Sequence, residues 1–272
     1  MSPADTFGGA IAVRGLTIRL GSGRAAFDAI VGVDLDIEAG AFVCLLGPSG
    51  CGKSTLAGAL AGHLRPAAGD IRLDDRQIDG PHPDRGLVFQ HHTLFPWLSV
   101  LDNVAFGLKM RGLAKAERRA EARSMLELVG LGAFADAYPA QLSGGMQQRA
   151  EIARVLVNRP RVLLMDEPFG ALDAQTRAQM QRQLLDTWAR VRTTVLFITH
   201  DIDEALFLAD RVLVMSARPG RVVADLPVPF GRPRSADLLT APEFVHLKRQ
   251  CIDLLDDPRT EPLRRLTPLG AP

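Results

Sequence analysis

The sequence predicts an α/β fold built on a mostly parallel sheet. Three observations carry that prediction. Short, wholly apolar runs alternate with helical stretches between Phe42 and Met215, as strands buried on both faces and joined by crossover helices do. A glycine-rich loop, Gly47–Gly52, connects one such run to an Ala/Leu-rich helical stretch. Another apolar run, Val162–Met165, ends in two acids, Asp166 and Glu167.

Taken in order, Ile11 to Leu20 alternates apolar and polar residues and predicts a strand. Val31 to Ile37, with Val31, Val33, Leu35 and Ile37 on one face, predicts another. Glu38-Ala39-Gly40 turns the chain into the buried strand Phe42–Leu46. The helix after the glycine-rich loop extends to about Leu64. Asp70–Ile78 reads as an edge strand or hairpin, and Gly86–Phe89 as a short buried strand that ends at Gln90. From His91 to about Asn158 helical periodicity with many Arg, Glu and Ala residues, as in Ala116–Leu131, predicts a mostly helical insertion. Strands return at Arg161–Met165, Thr194–Ile198 and Arg211–Met215. Thr240-Ala241-Pro242-Glu243 has the spacing of a capping box with proline in the first turn. Phe244, Leu247, Cys251 and Leu254 follow at helical spacing, so a final amphipathic helix packs on the body. The Pro- and Arg-rich tail from Pro258 reads as loose.

A chain of 272 residues suits one large domain or two intimate ones. Its 32 basic and 31 acidic residues leave a net charge of +1, which sets nucleic acid aside as a partner. Three cysteines, Cys44, Cys51 and Cys251, are too few for a disulfide framework and fit a reducing compartment. Met1 to Ala10 lacks a basic flank followed by an apolar stretch, so no signal peptide is expected. No apolar run approaches the roughly 20 residues that cross a bilayer. A role at a membrane is therefore expected from the cytoplasmic side, through a partner.

Gly47-Pro48-Ser49-Gly50-Cys51-Gly52-Lys53-Ser54-Thr55 fits G-x-x-x-x-G-K-[ST] in the strand–loop–helix context that gives the motif its meaning. Glycines let the backbone wrap phosphates, and successive N–H groups at a helix start present positive potential. Lys53 adds a compact charge for the β- and γ-phosphates, and Ser54 offers a hydroxyl to Mg²⁺. The plain alternative is a turn beside an ordinary lysine. It is weakened because lysine occurs only at 53, 109, 115 and 248 in an arginine-rich chain. Asp166 and Glu167 stand at the carboxyl end of a strand, where ligand sites of such sheets lie. Asp166 suits the Mg²⁺ shell, and Glu167 suits a general base for the attacking water. Ser143 is a good N-cap, and Gly144 and Gly145 leave backbone N–H groups bare. By itself that start reads as an ordinary cap. His200, before the capping-box pattern Asp201-Ile202-Asp203-Glu204, reads by itself as local structure.

Leu142-Ser143-Gly144-Gly145-Met146-Gln147-Gln148-Arg149 resembles the signature sequence of ABC (ATP-binding cassette) ATPases. The phosphate loop, Gln90 after Gly86-Leu87-Val88-Phe89, the strand ending Asp166-Glu167-Pro168, Gly170-Ala171-Leu172-Asp173-Ala174 and His200 stand in that family's order. The resemblance covers about residues 11–225. It implies a P-loop NTPase core of the RecA-like type with a mostly parallel sheet, an N-terminal antiparallel β subdomain and an α-helical subdomain inserted at 91–158. Residues 226–272 are left for a C-terminal helix and tail. It implies an ATPase that uses ATP and Mg²⁺ and works as a head-to-tail dimer. Each nucleotide is held between residues 47–55 of one copy and Ser143, Gly144, Gly145 and Gln147 of the other. Ser54, Gln90 and Asp166 are implied around Mg²⁺. His200 is implied at the γ-phosphate beside Glu167, Gln90 as the link to the helical insertion, and Asp173 in the loop that couples the two sites. In one departure, the aromatic that stacks on adenine near the end of the family's first strand is Leu20 here, and Phe27 is expected to substitute; the alternative is that Phe27 is core.

His92–Gly107, Met215–Arg221 and the short C-terminal helix resemble importer ATPases of the nitrate/sulfonate/taurine group. That implies an integral membrane permease as direct partner, a periplasmic or extracellular solute-binding protein as indirect partner, and a peripheral place on the cytoplasmic face of the membrane. Phe95-Pro96-Trp97 is expected near the surface that receives the permease, with one of the two aromatics in the helical core. An exporter or lipid-transport motor, a soluble ABC protein and a silent scaffold are the alternatives weighed. Intact Lys53, Asp166, Glu167 and His200 argue against the last.

Overall fold

The computed structural model describes residues 8–256 and 264–265. The chain opens with β1 (Ile11–Leu20), β2 (Phe27–Ile37) and β3 (Phe42–Leu46). β1 and β2 pair antiparallel, and the alternation read from the sequence slips once, at Arg14-Gly15. Gly15 takes φ 55 there and donates its N–H to Asp34 Oδ1 at 2.8 Å. This bulge returns Leu16 and Ile18 to the buried face that Ile11 and Val13 began. Helix α1 (Lys53–Leu60) follows the glycine-rich loop, then β4 (Ala68–Leu73), β5 (Arg76–Gln77) and β6 (Arg85–Val88). The first sheet has the order β2-β1-β4-β5, all antiparallel.

The insertion contains α2 (Val100–Met110), α3 (Lys115–Leu128) and α4 (Gly144–Leu156). These pack around their own apolar core, with Val100, Leu101, Val104, Leu126 and Ala153 in it. The stretch from His91 to Ser99 is not helical. It is pinned instead. Buried Asn103 accepts the Phe95 N–H at 2.7 Å and donates to Phe95 O and Leu98 O at 3.0 and 3.1 Å. Thr93 donates its N–H to the buried Glu151 carboxylate and accepts from Arg154 at its carbonyl, 2.7 Å.

β7 (Val162–Asp166), α5 (Ala174–Val191), β8 (Thr194–Ile198), α6 (Ile202–Leu208), β9 (Arg211–Met215), β10 (Val222–Pro227), α7 (Pro242–Asp256) and β11 (Arg264–Arg265) complete the described residues. The second sheet has the order β11-β10-β9-β3-β8-β7-β6. From β9 to β6 every pairing is parallel. Every residue of β3 and β8 is buried, as central strands covered on both faces require. One core lies under the antiparallel sheet and α1, the other under α5, α6 and α7.

Four sequence expectations need correction. The second strand starts at Phe27 because Phe27 and Asp28 pair with Leu20 and Arg19. The helix after the loop stops at Leu60, since Gly62 turns left-handed at φ 85. β10 was not expected; it folds back antiparallel on β9. Thr240 does not cap α7: its hydroxyl donates to Asp237 O at 3.0 Å, and Ala241 O accepts the Val245 N–H instead. The tail from Pro258 falls almost wholly outside the described residues.

Candidate functional site

β3 delivers the chain to Gly47 at the carboxyl edge of the parallel sheet. Gly50 and Gly52 take φ 76 and 105, and Gly52 precedes the first turn of α1. No side chain caps that turn, so its N–H groups face outward for an anion. Lys53 is buried, and its ammonium reaches across the loop to Gly47 O at 2.7 Å and Pro48 O at 3.1 Å. Cys51 is buried beneath the loop, and burial pushes its thiol up, away from reactivity.

β7 ends with Asp166 beside the loop, within hydrogen-bonding reach of the Ser54 hydroxyl. Burial raises the Asp166 carboxyl above its ordinary value, and the Ser54 bond opposes that rise. These hard oxygens fit Mg²⁺. Among the described residues no group of three or more His, Cys, Asp or Glu could hold a metal.

Glu167 sits at φ 44, a left-handed conformation that costs a non-glycine residue about 1–3 kcal/mol. Its N–H donates to Ile198 O at 3.0 Å, and its carbonyl accepts from Gly170 N at 3.1 Å. The turn holds the carboxylate against His200, whose Nδ1 lies 3.0 Å from Glu167 Oε2. Gln90 follows β6 on the other side of Gly170: a Cβ there would meet Gln90 Nε2 and Glu167 Oε2, each at 3.9 Å. A cleft of about 340 Å³ gathers Leu20, Phe27, Ser49, Gly50, Gly52, Lys53, Ser54, Thr55, Gln90 and Glu167. Phe27 is 43% exposed at its rim and is not core.

The remaining expected residues lie apart from this cleft. Ser143 caps α4, its hydroxyl accepting the Met146 N–H at 3.4 Å. Gly144 is exposed and Gly145 is buried; a Cβ on Gly145 would stand 2.9 Å from Thr176 Cγ2. Asp173 caps α5 by accepting the Thr176 N–H at 3.0 Å, and that bond lowers its carboxyl below its ordinary value. The Ser143–Gly145 terminus and the Asp173 cap are thus joined through Thr176 into a second surface. Gln147 points inward and donates to Pro139 O and Leu142 O at 3.0 and 3.3 Å, bracing that terminus from behind.

Sequence reasoning missed two residues. Thr199 Oγ1 accepts the Asp201 N–H at 3.0 Å, which fixes the turn carrying His200. Arg218 also lines the cleft. The first had a faint signal in its place beside the histidine. The second lies in Met215–Arg221, which reads only as a resemblance to importer ATPases; the fold of the β9–β10 loop is what brings it to the cleft.

Many nucleotide-binding proteins carry a phosphate loop on a parallel sheet. The helical insertion between Gln90 and Asp166, with its own glycine-opened helix, narrows this one to an ATP-binding cassette. The comparisons agree: the chain belongs to the ABC transporter family, whose model matches residues 30–170. It is 46% identical over 244 residues to the nitrate import ATP-binding protein of Synechocystis sp., covering 88% of this chain and 92% of that one. It is 51% identical over 238 residues to the taurine import ATP-binding protein of Rhizobium johnstonii, covering 85% and 90%. A solved dimeric ATP-binding cassette in a post-hydrolysis state, bound to ADP and Pi, matches with a TM-score of 0.70 at 31% identity over 81% of this chain and 100% of that chain. The chain is an ATP-binding, ATP-hydrolysing subunit of a transporter, and its fold is the one expected.

Proposed function

We propose that the chain powers an importer, and that MgATP binding and hydrolysis at a head-to-tail dimer interface drive solute through a separate permease. The observation that carries the reading is the convergence of Lys53, Ser54 with Asp166, and Glu167 with His200 around one cleft. In this reading residues 47–55 hold the phosphates, Ser54, Asp166 and Gln90 serve Mg²⁺, and Glu167 polarises the attacking water with His200 beside it. Ser143, Gly144 and Gly145 stand away from the chain's own cleft, which fits a role at a partner copy's nucleotide; Asp173, joined to them, fits the contact between the two sites. The inward turn of Gln147 supports a bracing role there. The ATPase unit is assigned to 11–225, with 91–158 as the helical part and 226–272 as the C-terminal part.

The permease face is assigned to the groove beside Trp97. Trp97 is 71% exposed and stacks on half-buried Phe95 at 5.5 Å between centroids. Beside them a cleft of about 640 Å³ runs between β6 and α2, lined by Phe89, Phe95, Phe106 and Met110. Such an apolar patch suits a partner. Among the described residues no helix is long and apolar enough to cross a membrane, so the spanning part falls to the permease and the subunit sits on its cytoplasmic face. The relatives' names favour nitrate or taurine as solute; a related sulfonate and delivery by an external binding protein belong to the same proposal. The test is reconstitution with the co-purifying membrane chains and their binding protein in vesicles. ATP-dependent inward movement of one of these solutes is expected. Outward movement, or transport that continues without ATP hydrolysis, overturns the reading.

A further inference from the structure

The loop between β9 and β10 folds over the mouth of the phosphate loop. It closes on itself through Ser216 N–H to Arg221 O at 2.9 Å and Arg221 N–H to Ser216 Oγ at 3.2 Å. It is tied to β2 on both sides of Gly220: the Gly220 N–H donates to Ala29 O at 2.9 Å, and Gly220 O accepts the Val31 N–H at 3.0 Å. Gly220 packs so closely on Cys51 O that no side chain fits there. The backbone is therefore fixed, and Arg218 projects from it into the cleft. Its Nε donates to Gly50 O at 2.7 Å, and its guanidinium carbon stands 5.4 Å from the centre of the Phe27 ring.

We propose that Arg218 is the second wall of the base pocket, so that the aromatic base of a nucleoside triphosphate is sandwiched between its guanidinium and the Phe27 ring. This rests on the reading of the cleft as the nucleotide site. The lining supports it. Around Phe27 the cleft offers Leu20, Ala29 and glycine backbone, with no amide or carboxylate side chain among the described residues there to read the edge of a base. Gln90 and Glu167 stand at the far end, around Gly170. A base here is held by its faces. Phe27 supplies one face, and a planar guanidinium, which stacks on aromatic rings, supplies the other. Arg218 is exposed, and its long stem can lift by one ring's thickness at the cost of a solvent-exposed bond to Gly50 O.

The experiment uses the full chain and compares three probes, MgATP, MgGTP and magnesium tripolyphosphate, by titration calorimetry. Arg218→Ala is expected to weaken MgATP about fivefold to thirtyfold and to leave tripolyphosphate unchanged. Arg218→Lys, which keeps the charge without the planar face, is expected to fall between. GTP is expected to bind about as well as ATP in every variant. Phe27→Ala with Arg218→Ala is expected to lose little more than either alone, because one face cannot clamp. Equal losses for MgATP and tripolyphosphate would make Arg218 a phosphate ligand and overturn the proposal. Tighter ATP binding by Arg218→Ala would make it a plug, and no change would leave it without a role. If the parent chain binds neither MgATP nor tripolyphosphate, the nucleotide-site reading has failed and the clamp fails with it.

Discussion

His200 Nδ1 lies 3.0 Å from Glu167 Oε2, so the residues just past β8 and β7 meet at the edge of the sheet. Glu167→Gln keeps a group of the same shape there but removes the base. Turnover measured as phosphate release is expected to fall about 10²–10⁴-fold. ATP binding is expected to persist, and gel filtration with ATP should show a dimer. A parent-like rate would remove Glu167 from its assigned role.

Lys53→Ala removes the one ammonium at the phosphate loop, together with its bonds to Gly47 O and Pro48 O. A charge-assisted bond of this kind contributes about 1.5–3 kcal/mol, so MgATP affinity is expected to drop about tenfold or more. Equilibrium dialysis with labelled ATP measures it. Binding equal to the parent would mean the loop grips something other than a triphosphate.

Glu204 is buried on α6, accepts from Gln181 Nε2 at 3.0 Å and lies in hydrogen-bonding reach of Thr199. Burial raises its carboxyl above the ordinary glutamate value, with these bonds opposing. The folded state thus holds the proton more tightly than the unfolded one. The stability this gives is fully present below the unfolded value and is lost as pH rises through the folded one. Glu204→Gln should therefore gain stability relative to the parent at neutral pH and not at about pH 4. Urea melts at both pH values check this; a difference that does not change with pH would refute it.

Trp97→Ala removes an exposed ring and is expected to shift the melting free energy by no more than about 0.5 kcal/mol. Recovery of the permease with the tagged chain should nevertheless fall sharply. Undiminished recovery would place the docking face elsewhere.

Phe42–Leu46, Thr194–Ile198 and Arg211–Met215 were legible to the residue, because parallel strands covered on both faces must be apolar without interruption. β10 was not, since Asp225 and Pro227 break its pattern and its place depends on pairing with β9. Thr240 had the right letter for a cap, but Pro242 and the turn at Ala236–Thr240 moved the helix start one residue on. The chemistry of Lys53, Asp166 and Glu167 could be read from residue type and strand context. Their separation from Ser143 and Asp173 was expected only through the family resemblance, because motif order by itself says nothing about which surface a helix start faces. Arg218 lies in Met215–Arg221, a stretch that resembles importer ATPases, but that resemblance gives it no place at the cleft.

Thr93 is gripped by Glu151 past the middle of α4 and by Arg154 in its last turn. The segment that begins at Gln90 and bears Trp97 is thereby hitched to the rod whose first turn is capped by Ser143. Trp97 and the Ser143 cap thus belong to segments that meet on one helix, α4. The joint between them is a carboxylate hidden from solvent, that of Glu151.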